Sequence, residues 1–104
     1  MNIYNMKQMQ VNSFEERQNN VFFETEEFKT RIIELSAGGK LLDCKMLSSV
    51  IFYVISGEAS VIVNKQHSII KEGDCLISEP AEFSLTSSIG VRMLGVQINK
   101  RSVI

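Results

Sequence analysis

From Val21 onward, turn-forming residues interrupt the chain at intervals of roughly 8–12 residues with no convincing helical period between them, a pattern suited to an all-β sandwich or barrel. The interruptions are Ala37-Gly38-Gly39, Gly57-Glu58, Asn64-Lys65-Gln66, Glu72-Gly73-Asp74, Glu79-Pro80-Ala81 and Ser87-Ser88-Ile89-Gly90. Between them lie runs rich in β-branched and aromatic residues. These predict strands over 21–25, 28–35, 40–46, 50–56, 59–63, 67–70, 75–78, 82–85 and 91–98. Pro80, which has no N–H to give a ladder, falls outside every predicted strand interior.

The run Val50 to Ser56, VIFYVIS, is almost continuously apolar, as expected of a strand buried on both faces or forming a barrel wall. Counting alternate residues back from it places Cys44, Met46, Ser48, Val50, Phe52 and Val54 on one face, provided that no bulge intervenes. That face is expected to line the lumen. Tyr53, of opposite parity, is expected outside.

At 104 residues there is room for a single core. The expected division is an N-terminal arm over residues 1–20 and a barrel over 21–104. The arm is largely polar, with Ile3, Tyr4, Met6, Met9 and Val11 among its apolar residues, and includes the cluster Glu15-Glu16-Arg17-Gln18-Asn19-Asn20. It is suited to pairing with an edge strand or swapping onto a partner, so a homodimer is expected.

A net charge of −1 with no basic run longer than Lys100-Arg101 gives no electrostatic footprint for nucleic acid. No apolar stretch approaches the length of a membrane span, and no targeting segment opens the chain, so a cytoplasmic protein with no membrane partner is expected. Cys44 and Cys75 lack CxxC spacing and read as reduced, mainly space-filling thiols.

From Gly38 to Ser88 the spacing resembles the two consecutive motifs of the cupin superfamily, which implies a double-stranded β-helix, or jelly-roll barrel. The family's first motif strings a glycine, two histidines, a glutamate and a second glycine along such a stretch. Gly38, Cys44, Met46, Val50 and Gly57 hold those places here. The second motif has a glycine, a proline, a glycine, a histidine and an asparagine, against Gly73, Glu79, Ala81, Ser84 and Ser88, with the proline displaced by one residue to Pro80.

In the family the histidines and glutamate point inward and hold a divalent metal. The corresponding Cys44, Met46, Val50 and Ser84 are unsuited to iron, manganese or nickel, so neither a metal nor any other cofactor is expected. A soft alternative, cuprous ion on the Cys44 thiolate and Met46 thioether, would have only two ligands.

The expected ligand site is therefore a mainly apolar lumen lined by Cys44, Met46, Ser48, Val50, Phe52 and Ser84, with Thr86 beside Ser84. Arg92 and Arg31 are candidates for clamping an anionic ligand, because a guanidinium presents a planar fork of donors. Glu34 is the one strand carboxylate whose parity could bring it inside, and His67 is expected to be exposed. No catalytic residue is assigned. The leading expectation is a metal-independent module that binds an unidentified small molecule. The alternatives are a metal-free isomerase or lyase acting on a sugar or small organic acid, and a structural or interaction protein with a filled core.

Overall fold

The apolar run around Val50 belongs to the longest strand of the molecule. The structure, a computed structural model, describes residues 1–12 and 20–99. In it eight strands follow one another: β1 (Val21–Glu24), β2 (Phe28–Leu35), β3 (Lys40–Met46), β4 (Ser49–Val63), β5 (Gln66–Lys71), β6 (Cys75–Ser78), β7 (Ala81–Thr86) and β8 (Val91–Ile98). The cluster Glu15-Glu16-Arg17-Gln18-Asn19 and the basic pair Lys100-Arg101 lie outside the described residues.

All of the pairings are antiparallel, and β4 takes part in both halves of the barrel. Its first half lies between β8 and β6, in a sheet continued by β2 and β1. Its second half lies between β7 and β5, with β3 beyond β7. One long strand that changes sheets thus replaces the two strands expected over 50–56 and 59–63.

Gly57 makes this possible. Its φ of +83° lies where glycine alone is unstrained, and a Cβ on it would sit 2.1 Å from the Gly90 carbonyl oxygen. The glycine bends β4 across the turn before β8, while the Glu58 N–H continues the pairing by donating to Gly90 O at 3.1 Å. A register shift between Val54 and Ser56 accompanies the bend. It also changes the inward phase, from Val50, Phe52 and Val54 in the first half to Ala59 and Val61 in the second.

The hairpin that follows closes through a two-residue loop. Asn64 and Lys65 both have positive φ, 46° and 70°, as the right-handed twist of a tight β-hairpin demands, and Val63 pairs directly with Gln66. Gln66 is therefore the first residue of β5 rather than part of the turn.

Val54, Ala59, Val61, Ile70, Val91 and Met93 form the floor of the hydrophobic core, the part of the buried cluster that does not line the cavity described below. Burial of side chains of this size stabilises the fold by roughly 1.5–3 kcal/mol each for the larger ones. Phe52 and Phe83 meet edge to face above this floor, with ring centroids 5.7 Å apart.

The arm lies against the outer side of its own barrel at Tyr4, Met6 and Met9, and reaches the lining of the cavity at Asn12. The Tyr4 ring stands 4.7 Å from Phe22, and its hydroxyl donates to Phe22 O. Asn12 and Asn20 hydrogen-bond reciprocally, with the Asn12 N–H donating to Asn20 Oδ1 at 2.7 Å and Asn20 Nδ2 donating to Asn12 O at 3.2 Å. Among the described residues no helix is long and apolar enough to cross a membrane.

Candidate functional site

The barrel holds a cavity of about 310 Å³. Five strands line it: Leu41, Cys44 and Met46 from β3, Val50 and Phe52 from β4, Phe83 and Leu85 from β7, Ile33 and Leu35 from β2, and Gly95, Val96 and Gln97 from β8. β3 presents this set only because it is irregular. Its register against β7 shifts between Leu41 and Cys44, where Asp43 has φ +53°, and the extra residue brings Leu41 and Cys44 to the same face despite their odd separation.

The inward face of β2 follows from its partners in β8. Leu35 pairs with Val91, Ile33 with Met93 and Arg31 with Gly95. Val91 and Met93 are buried in the core, so Leu35, Ile33 and Arg31 share the luminal side. Arg31 thus belongs to the cavity wall, and its Nη2 donates to Gln97 Oε1 at 3.4 Å.

The structure brings Cys44, Met46, Val50 and Phe52 together around this cavity. Ser48 lies in the bend between β3 and β4, at the cavity's edge, where its hydroxyl accepts a hydrogen bond from Gln97 Nε2 at 3.4 Å. Simple alternation through Leu47 and Ser48 therefore does not hold, although Met46 and Val50 reach the same space on either side of the bend.

Two expected lumen residues face outward. Phe83 and Leu85 are 2% and 1% exposed and point inward, so Ser84 between them lies on the outer face, and Thr86 shares its parity. The Ser84 hydroxyl accepts the Asp43 N–H at 3.1 Å there. The displaced proline is the source of the error: counting from Pro80 rather than from Gly73 moves the histidine position by one residue, onto Leu85.

Arg92 is the second correction. Its neighbours Val91 and Met93 are the inward residues of β8, which turns Arg92 to the outside. There its Nε donates to Met6 O at 2.8 Å, Nη2 to Met9 O at 2.6 Å, and Nη1 to Glu34 Oε2 at 2.9 Å. Arg92 fastens the N-terminal arm rather than a ligand. Glu34 pairs with it across the ladder, so the Glu34 carboxylate also lies outside the lumen. His67 is exposed on β5, and Tyr53 is exposed on the outer face of β4.

The sequence matches no protein-family model and no curated protein. Solved structures do resemble it. A conserved protein of unknown function from Streptococcus pyogenes aligns with TM-score 0.72 and 13% identity, over 79% of this chain and 73% of that one. A cupin superfamily protein from Desulfitobacterium hafniense aligns with TM-score 0.71 and 11% identity, over 77% and 74%. An RmlC-like cupin from Shewanella frigidimarina gives TM-score 0.69 and 19% identity, over 76% and 72%. The fold is that of the cupins.

A cupin barrel raises the question of a metal, and the inward groups answer it from their own chemistry. With Leu85 in the place first read as Ser84, the four positions hold a thiol, a thioether and two alkyl groups. Valine and leucine coordinate nothing, and two sulfur donors do not complete a site for a first-row divalent ion. Among the described residues no group of three or more His, Cys, Asp or Glu could hold a metal ion. The residues present do not fit the metal that the resemblance implies.

Proposed function

We propose that this cupin barrel is a metal-independent module that binds a small, mainly apolar molecule in the cavity between β2, β3, β4, β7 and β8. The observation that carries the proposal is a cavity of about 310 Å³ lined by buried core residues such as Val50, Phe52, Phe83 and Leu85, within the size range of small-molecule sites. A barrel serving only as a structural element would gain stability from filling that space with its own side chains.

Binding is favoured over a metal-free isomerase or lyase because the strand carboxylate and the histidine, the groups that most often do acid–base chemistry, are directed away from the lumen, leaving Cys44 and Lys45 as the titratable groups of its lining. The Glu34 carboxylate is engaged by Arg92 on the outer face, and His67 is exposed on β5. The two free cysteines, Cys44 and Cys75, support a reducing cytoplasmic setting.

A thermal-shift screen against a metabolite library tests the proposal, since a ligand present at 100 times its Kd stabilises the native state by about 2.7 kcal/mol. A hit is expected to raise the melting temperature of the parent protein and to leave a Cys44→Phe variant unmoved, because the phenyl ring occupies the cavity. Equal shifts in both proteins, or silence across the library, would favour the filled structural barrel instead.

We also propose self-association, through the outer face of β4, β6 and β8. Two apolar rows cross that face, Ile77–Ile51–Val96 and Cys75–Tyr53–Leu94. Ile77 is 73% exposed and Tyr53 44%. The arm covers the neighbouring part of the same sheet, around Arg92, in cis. A second copy is the occupant that fits, because a face running across one sheet is self-complementary about a two-fold axis and the net charge of −1 offers little repulsion.

A further inference from the structure

We infer that the N-terminal arm is a strap across the mouth of the cavity, latched by Arg92 and released to let a ligand pass. This inference rests on the binding proposal above and concerns how that same site is reached. Every residue from Arg31 to Leu35 lines the cavity. Strand alternation turns only Arg31, Ile33 and Leu35 inward, so the cavity also reaches past the edge of β2, beside Ile32 and Glu34. The β1–β2 ladder ends at the Val21–Arg31 pair, and the mouth opens beyond it.

Asn12 and Asn20 stand at this mouth, both in the cavity lining. Asn20 is 8% exposed, and its side-chain amide pairs with the arm as a strand would. Its Oδ1 accepts from the Asn12 N–H and from Asn12 Nδ2, at 2.7 and 3.1 Å, while its Nδ2 donates to Asn12 O at 3.2 Å. A buried amide that loses its partners is destabilising, so the docked arm is the favoured state.

The latch sits a few residues earlier in the arm. Asn5 Oδ1 accepts from the Lys7 and Gln8 N–H groups and sets a turn, from which Met6 O and Met9 O receive Arg92 Nε and Nη2 at 2.8 and 2.6 Å. The third donor of the same guanidinium, Nη1, goes to Glu34 and so ties the latch to the β2 edge at the mouth. Arg92 itself stands outside the lining. Residues 1–12 form no strand, and an element fastened by side-chain bonds without a ladder belongs to the low-stability end of a fold. The arm can therefore open while the barrel stays closed.

Cys44, in the cavity wall, reports access without any ligand, and exposed Cys75 serves as the internal standard. The full chain is treated with N-ethylmaleimide, and modification of each cysteine is followed by peptide mass spectrometry beside amide exchange at Met9 and Met93. In the parent, Cys44 is expected to react at least tenfold more slowly than Cys75. Arg92→Met should raise the Cys44 rate and Met9 exchange at least tenfold, with Cys75 and the buried Met93 unchanged. Arg92→Lys, which keeps a charge and one donor direction, should fall between. Equal Cys44 and Cys75 rates in the parent, a Cys44 that stays slow in Arg92→Met, or unchanged Met9 exchange would overturn the strap. So would a rise in Met93 exchange matching that of Cys44, since access would then come from unfolding of the barrel. Labelling needs no ligand, so these outcomes are independent of the metabolite screen: silence there removes the binding proposal, whereas a cavity ligand found there with an arm-independent Cys44 removes the strap alone.

Discussion

Alanine at Gly57 should destabilise the barrel far more than alanine at Gly38, although the two glycines have nearly the same backbone conformation. Their φ values are +83° and +84°. The left-handed penalty for a Cβ, roughly 1–2 kcal/mol, is therefore common to both variants. The surroundings differ. At Gly38 a new methyl meets nothing within 4 Å, whereas at Gly57 it lies 2.1 Å from Gly90 O and 2.8 Å from Val91 Cα, both backbone atoms that cannot swing aside.

Relieving that overlap means separating β4 from the turn before β8. The bond from the Glu58 N–H to Gly90 O is then lost, at about 0.5–1.5 kcal/mol. Val91 and Met93, 4% and 0% exposed, are pushed from their packed positions, a strain of about 1–3 kcal/mol. The total for Gly57→Ala is about 3–6 kcal/mol against about 1–2 kcal/mol for Gly38→Ala. For a domain of ordinary stability, about 5–15 kcal/mol, the first variant is close to unfolding and the second is not. The chain has no tryptophan, so urea unfolding is best followed by circular dichroism, with the slope of the transition held in common. Losses equal within about 0.5 kcal/mol would refute the close approach of β4 and Gly90 on which the corner depends.

Two further predictions concern the outer surface. Arg92→Met removes the donors that reach Met6 O and Met9 O, so amide exchange around Met6 and Met9 should accelerate at least tenfold; unchanged exchange would show that the arm is held by other contacts. Ile77→Lys places a charge on the exposed apolar row of β6 and should convert a dimer to monomers in light scattering without lowering the melting temperature of the barrel; a parent protein already monomeric at high micromolar concentration would remove the case for self-association.

Strand limits were largely legible because they depend on local signals. The expectations over 28–35, 40–46, 75–78 and 91–98 coincide with β2, β3, β6 and β8, each bounded by turn-forming or polar residues. The cavity was legible only in part, because facing depends on phase, and phase changes at irregularities that leave faint traces. Asp43 has positive φ without being glycine, so nothing in the sequence marks the bulge that sets Leu41 and Cys44 on one side. The one-residue displacement of Pro80 did mark a phase change, and it was the signal that Ser84 and Leu85 exchange roles.

The two arginines show the same limit from opposite sides. In β2 Ile32 and Ile33 are apolar at both parities and Glu34 was the residue whose parity could have brought it inside, so the luminal direction of Arg31 follows only from its pairing with Gly95 in β8. In β8 the residues Val91, Met93, Leu94 and Val96 are apolar at both parities, so no local pattern tells which side Arg92 takes. Such two-sided strands arise when both faces have a hydrophobic neighbour. Here the inner neighbour is the core, and the outer neighbour along Arg92 is the chain's own arm. The ambiguity at Arg92 and the exposed apolar rows on β4 and β6 thus have one physical origin: a sheet whose strands are apolar on both faces. Sequence can register that such a face exists. Which part of it the arm covers is a matter of tertiary arrangement, and disrupting the arm and the Ile77 row separately is what distinguishes the two parts.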